Sequence, residues 1–147
     1  MENQRPKPGY LWSMLTMRCP RCRRGAMFKE PNAYKSIKLS HIFNMPDNCA
    51  ECGQKYDLEV GFWYGTSYVS YALAVAVSVA TFIAWMVIIG VSTDDNRVFY
   101  WLGFNGILLV VLQPWIMRLS RVIYLYFFVS YDENYKETKP IEFDHRQ

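Results

Sequence analysis

The chain has 147 residues, four cysteines and a net charge of +3 at pH 7. This length normally corresponds to one domain, but long uncharged stretches within it argue against an ordinary soluble core. With two histidines, one in a loop and one near the C-terminus, no catalytic constellation can be assembled, so we do not expect an enzyme.

Residues 1–60 are polar and contain all four cysteines. They form two C-x2-C pairs, Cys19–Cys22 and Cys49–Cys52, with 26 residues between the pairs. Each C-x2-C turn presents two sulfurs on one side of a tight loop, and zinc prefers four thiolates in a tetrahedron. Gly53 suits such a turn because glycine permits a positive φ, whereas the first pair has its glycine displaced to Gly25. We predict a zinc ribbon holding one structural Zn²⁺ through all four cysteines.

Other uses of the cysteines fit less well. A c-type haem attachment needs C-x-x-C-H, but Arg23 and Gly53 follow the two pairs. A thioredoxin-like dithiol needs a βαβ context that is missing. Disulfides are unexpected in the cytoplasm, where the distribution of lysine and arginine described below places this segment. A redox pair and an iron–sulfur centre therefore stay as alternatives to zinc. His41 lies between the pairs and is interpreted as a loop residue rather than a ligand.

The arginines have two expected roles. Those around the first pair can offset the negative charge of a four-thiolate site, and basic flanks beside a membrane face anionic lipid. No nucleic acid is required to explain the positive charge. The arginines assigned to lipid and charge are Arg18, Arg21, Arg23, Arg24, Arg118 and Arg121.

Two segments predict membrane-spanning helices. Residues 60–93 and 98–117 contain no charged side chain, and about 20 apolar residues suffice to span a bilayer. We therefore expect transmembrane helices at 61–93 and 98–117, joined by an external link at 94–97. Ten lysines and arginines precede residue 65, and five follow Met117. Cytoplasmic flanks carry the basic excess, so both termini are expected in the cytoplasm.

Small and polar side chains within the spans predict helix contacts. Small residues every fourth position let helices approach closely, and uncharged polar groups in a span usually face protein. The second helix is the default neighbour of the alanine row (Ala72, Ala76, Ala80 and Ala84). This would leave Ser70, Ala74 and Ser78 for another protein. No ionisable residue lies in either span, so transport by this chain alone is not expected. The predicted interaction residues are Ala72, Ala76, Ala80, Ala84, Asn105 and Gln113.

The region after the second span predicts two further segments. Pro114 should kink the helix near its cytoplasmic end. Residues 118–131 are apolar and aromatic but too short to span again, which indicates an amphipathic, interfacial helix or an extension lying against a partner. Residues 132–147 form a polar cytoplasmic tail. The predicted fold is therefore a mainly α membrane protein: a four-cysteine zinc ribbon, a two-helix hairpin and a C-terminal interfacial helix.

Several of these stretches resemble a known family. The sequences CPRCRRGAMF, CAECG and EVGFWYGTSYVSYAL, with the exit from Pro114 to Arg118, resemble the bacterial membrane family catalogued as domain of unknown function 983, particularly members from the Bacteroidetes group. The resemblance covers roughly residues 15–131 and implies a cytoplasmic zinc ribbon with a helical hairpin, in a bacterial inner membrane. Some members are encoded near haem–copper oxidase subunits and their assembly factors. This chain departs from the family by a longer spacer and by arginines where the first pair usually has glycine.

Two classes of function are compatible with these features. The leading hypothesis is a non-catalytic accessory or structural protein that docks on a larger inner-membrane complex, such as a respiratory terminal oxidase or its assembly machinery. The alternative is a membrane-tethered thiol or metal sensor, or a metal donor, in which Cys19 and Cys22 release the metal. A tethered nucleic-acid-binding ribbon ranks third.

Overall fold

The computed structural model describes residues 8–35, 44–58, 61–90 and 95–141. Helix α1 is Tyr10–Leu15, a 3₁₀ turn is Phe62–Gly65, α2 is Thr66–Ile88 and α3 is Arg97–Phe128. Within these ranges no strand forms, and only two isolated β-bridges occur, Arg18 with Ala26 and Asn48 with Lys55. The fold is mainly helical, as the sequence predicts, but each cysteine pair sits in a bridged turn rather than in a stranded ribbon.

Two helical segments are long and apolar enough to cross a membrane, Phe62–Ile88 and Arg97–Phe128. Helix α2 alone has 23 residues, which at 1.5 Å per residue gives about 34 Å, against a hydrocarbon core of about 30 Å. No residue in the most apolar window of the first segment is buried within the chain. A core helix of a soluble protein would be covered there. Of the predicted link at 94–97, residue 94 lies outside the described residues and Arg97 begins α3.

The two long helices are joined by a polar contact between the middle of α2 and the first third of α3. Asn105 is buried, and its Nδ2 donates a hydrogen bond to Ser78 Oγ at 3.1 Å. Thr81 Oγ1 donates to Asn105 Oδ1 at 3.2 Å. One turn further on, the rings of Phe82 and Trp101 meet edge to face. Because each of these side chains has its partner on the other helix, the pair fixes the register of the hairpin.

This contact uses a different face of α2 from the expected one. Ser78 lies on the face covered by α3, whereas the four alanines of the row lie on the opposite, exposed side. The expectation that the second helix covers the alanine row is therefore wrong. Polar hydrogen bonding by Asn105, rather than close backbone approach along the alanines, determines which face the hairpin uses. The exposed residues are Ala72, Ala76, Ala80 and Ala84.

Helix α3 continues without a break beyond the predicted end of the span. Its 32 residues include Pro114, and it ends at Phe128. The segment expected as a separate interfacial helix at 118–131 is instead the end of α3, where Val122 and Leu125 are fully buried in the same core as the four cysteines. The apolar side of this segment therefore packs against the cysteine turns. Bilayer contact is not needed to explain its amphipathic pattern.

The tail folds back on the cysteine turns. Residues 133–138 form turns, with the amides of Glu137 and Thr138 donating to Asn134 O. The amide of Asp132 donates to Arg21 O at 3.1 Å. Both ends of the described chain therefore meet at one end of the hairpin. The rest of the predicted tail, residues 142–147, lies outside the described residues.

Candidate metal centre

The two cysteine pairs are carried by turns of the same design, here called the first knuckle (residues 18–26) and the second knuckle (residues 48–55). The amide of Cys19 donates to Gly25 O at 2.8 Å, and the amide of Cys49 donates to Gln54 O at 2.9 Å. These bonds close each loop from its first cysteine, so that both sulfurs of a pair emerge on one side. The repeated C-x2-C spacing thus produces two similar half-sites, although the first loop is one residue longer.

The residue after each second cysteine has a left-handed backbone. Arg23 has φ of 54° and Gly53 has φ of 70°, and their amides donate to the carbonyls of Cys19 and Cys49 respectively. The conformation costs a non-glycine residue roughly 1–2 kcal/mol. The Arg23 guanidinium lies 4.4 Å from the centroid of the Tyr131 ring and donates to Pro8 O at 3.1 Å. These contacts offset the cost, so the first knuckle needs no glycine at this position.

Gly25 has a different role from the one that sequence reasoning gave it. A Cβ built on Gly25 would collide with Cys49 Sγ, which belongs to the opposite knuckle. Its φ is not positive, so the requirement is space rather than backbone freedom. The Gly25 amide also points at Cys22 Sγ, at 3.4 Å. Gly25 therefore allows the second knuckle to bring its sulfur close to the first.

The four sulfurs form a compact cluster. All lie within 4.8 Å of one another, with 3.7 Å between Cys19 Sγ and Cys52 Sγ and 3.7 Å between Cys22 Sγ and Cys49 Sγ. A regular tetrahedron with metal–sulfur distances of about 2.3 Å has sulfur–sulfur edges of about 3.8 Å. All four cysteines are buried and none forms a disulfide. Cys19, Cys22, Cys49 and Cys52 could thus hold one metal ion.

Crowding makes the thiols strongly unequal. Hydrogen bonding from the Cys19 thiol lowers the pKa of Cys22 to about 6, and the pKa of Cys19 is raised by its hydrogen bond with Cys22 and then by the other two thiols. Burial raises the pKa of Tyr56, whose hydroxyl lies beside this cluster, well above its ordinary value. A neutral tyrosine and partly ionised, closely packed sulfurs favour binding of a cation, which removes the remaining thiol protons.

Three of the six predicted lipid-facing arginines are engaged inside the protein. Arg21 and Arg118 are 1% and 2% exposed, so the expectation that they face lipid is wrong. Arg118 Nη1 donates to Glu30 O at 2.8 Å, and its guanidinium lies over the Phe28 ring. Arg121 stacks over Trp63. Arg118 therefore connects α3 to the segment between the cysteine pairs, and Arg121 connects α3 to the 3₁₀ turn before α2.

The remaining predicted arginines lie at the edge of the first knuckle. Arg18 is exposed, and its Nη1 donates to Arg24 O at 2.7 Å. Arg23 and Arg24 are half-buried. Of the two polar residues predicted for helix contacts, Asn105 is used within the hairpin, whereas Gln113 is exposed on α3. The structure thus brings the four cysteines together and packs Asn105 against α2. The alanine row and Gln113 are exposed.

Sequence reasoning missed two residues that shape the site. Gln54 is fully buried, and Tyr56 is 1% exposed. Both follow the second pair in the run Cys52-Gly53-Gln54-Lys55-Tyr56, where they alternate with exposed residues. An extended segment turns every second side chain to the same face. The two-residue spacing from Cys52 to Gln54 and Tyr56 could therefore have placed both on the face of the cysteines. Tyr56 packs in the cysteine core, and its hydroxyl donates to Ala26 O at 3.4 Å.

The donor set limits the chemistry of the centre. Four thiolates close a tetrahedral shell and leave no position for water or substrate. Within the described ranges, the cysteines are the only group of three or more metal-binding side chains that could hold an ion; His41 lies outside those ranges. Comparisons of the chain with protein-family models, curated proteins and solved structures find no match.

Proposed function

We propose that the four cysteines bind one structural zinc ion, and that this zinc-stapled unit belongs to a non-catalytic accessory protein of a membrane complex. Soft thiolate ligands in a tetrahedron suit zinc, and a closed shell favours a structural ion. The observation that carries the proposal is the pair of 3.7 Å sulfur–sulfur distances across the two knuckles. The resemblance to the domain of unknown function 983 family supports the same assignment.

We place the metal unit on the cytoplasmic face of a bacterial inner membrane. Contacts join the two knuckles to the end of α3 and to the tail. These contacts support a location of both described ends of the chain on the same side of the membrane. The excess of lysine and arginine before α2 and after Met117 favours the cytoplasm for that side. Anionic lipid would then meet Arg18, which is exposed there.

The proposed docking surface is the alanine row of α2. Its four alanines are exposed because α3 covers the face that carries Ser78 and Thr81. Small side chains gain from a contact only when another helix comes close. We propose a helix of a larger inner-membrane complex as that partner, with a haem–copper terminal oxidase or its assembly machinery as the first complex to test.

The test is a leucine scan of the row. Ala76→Leu or Ala80→Leu inserts bulk into a close helix contact, with an expected cost of about 1–3 kcal/mol. The chain should still insert, because leucine favours the bilayer, but partner proteins should no longer co-purify from detergent-solubilised membranes. Val75→Leu is the matched control, since Val75 is exposed on α2 outside the row. If partner proteins co-purify normally with the leucine variants, the alanine row is not a docking surface.

A metal donor or thiol sensor is the second candidate. It is favoured by the left-handed Arg23 in the first knuckle, because loss of the Arg23 contacts with Tyr131 and Pro8 would leave that half of the site strained. It is opposed by the burial of all four sulfurs. Rapid transfer of metal to a weak chelator would support this candidate, and slow transfer would support the structural role. A nucleic-acid-binding role is less supported because Arg21, one of the basic residues it would use, is buried.

A further inference from the structure

Arg21 uses its side chain to hold the main chain of the tail. It lies between Cys19 and Cys22, and its Nη1 donates to Cys52 O at 3.4 Å. Its Nη2 donates to Thr138 O at 2.6 Å and to Lys139 O at 3.0 Å. The same nitrogen also contacts Thr138 Oγ1 at 2.7 Å and Asp132 Oδ2 at 3.4 Å. Two of these four acceptors are backbone carbonyls, which any extended peptide would supply.

Gln54 holds the next part of the tail in the same manner. Its Nε2 donates to Ile141 O at 2.8 Å, and its Oε1 accepts from the Ile141 amide at 3.0 Å. The side-chain amide thus pairs with both backbone groups of one residue, as a neighbouring β-strand would. Gln54 is fully buried, so without an occupant its polar atoms would lose these partners. The Ile141 side chain itself is 36% exposed.

Both contacts depend on the knuckles. Arg21 lies inside the first C-x2-C pair, and Gln54 closes the second knuckle through its carbonyl, which accepts from the Cys49 amide. A metal shared by the four sulfurs would therefore fix the distance between the two gripping side chains. Main-chain recognition of this kind gives affinity with little dependence on sequence, as in strand addition to a sheet edge.

We propose that Arg21 and Gln54 form a docking site for an extended peptide segment of a protein partner, and that residues 138–141 are its built-in occupant, displaced when the partner binds. The proposal rests on the docking function above and adds a cytoplasmic contact to the one in the membrane. An extended partner segment is favoured because the seated tail is recognised through three backbone carbonyls and one amide, at Thr138, Lys139 and Ile141.

The experiment follows the Ile141 amide by hydrogen exchange in the metal-loaded full-length chain, isotopically labelled and held in detergent. Gln54→Ala should accelerate exchange at Ile141 by about tenfold, the equivalent of one net hydrogen bond, while the metal content stays at one ion per chain. Glu51→Gln is the matched control, because Glu51 is exposed in the same knuckle. The Glu137 amide, which is bonded within the tail turn, should not change.

Displacement is tested with an unlabelled synthetic peptide of residues 132–147 added in excess. It should accelerate exchange at Ile141 of the labelled chain, and the same peptide N-methylated at the position of Ile141 should not. Unchanged Ile141 exchange in Gln54→Ala, or on adding the peptide, would overturn the proposal. A protein that contains no metal would instead refute the proposed zinc centre, so the two failures are distinguishable.

Discussion

Replacing Gly25 by alanine should damage the metal centre from a residue that is not a ligand. The added Cβ would occupy the position of Cys49 Sγ, so that sulfur must move. Metal–ligand distances tolerate about 0.2 Å, far less than the displacement needed to clear a methyl group. We therefore expect Cys49 to be lost as a ligand while Cys19, Cys22 and Cys52 stay in place.

The size of this effect can be estimated. Zinc binding by structural sites is worth about 10–16 kcal/mol, so one ligand in four corresponds to about 3 kcal/mol, or about a 100-fold weaker affinity. Cobalt(II) titration followed by chelator competition measures it, because the visible absorption of tetrahedral cobalt reports the number of thiolates. The spectrum of Gly25→Ala should lose intensity as well as affinity.

Gly53→Ala provides the comparison for Gly25→Ala. A Cβ at Gly53 would meet only Pro140 Cγ, at 3.9 Å, but φ there is positive. Backbone strain of about 1–2 kcal/mol should weaken binding by roughly tenfold and leave the cobalt spectrum intact. If Gly25→Ala bound cobalt with wild-type affinity and spectrum, the inference that Cys49 Sγ needs the space beside Gly25 would be wrong.

Three further predictions concern the hairpin, the shared core and pH. Asn105→Leu should destabilise the hairpin by about 0.6–1.7 kcal/mol, whereas Gln113→Leu, on the exposed side of α3, should not; resistance to unfolding in detergent distinguishes them. Leu125→Ala should lower the free energy of unfolding of the shared core by about 2–5 kcal/mol, so that the cobalt spectrum is lost at a lower urea concentration. Phe127→Ala should lower it far less, because Phe127 is 77% exposed. Metal content should hold at neutral pH and fall on acidification, because protons compete with the metal for the four thiolates; full retention at pH 4 would contradict it.

The clustering of the four cysteines could be predicted because its signal is local. A C-x2-C pair fixes two sulfurs within one turn, and two such pairs are sufficient to predict a shared ion. Long uncharged stretches likewise predict the helices without knowledge of their neighbours. In both cases the decisive interactions lie within a few residues or depend on composition alone.

The parts that could not be predicted depend on contacts between distant segments. The choice between the alanine row and the Ser78 face depends on Asn105, which is 27 residues away. The amphipathic pattern of residues 118–131 is the same whether its apolar side meets lipid or protein, so the cysteine core decides the matter. Arg21 has the charge of a lipid-facing residue, but its partners are more than 100 positions further along the chain.

The central claim is that the four cysteines hold one zinc ion. X-ray absorption at the zinc edge, on protein purified without added metal and assayed for total metal, tests it directly. The account predicts one zinc per chain with four sulfur neighbours at about 2.3 Å. A nitrogen or oxygen neighbour, fewer than four sulfurs, iron in place of zinc, or a metal-free protein with disulfides would contradict it.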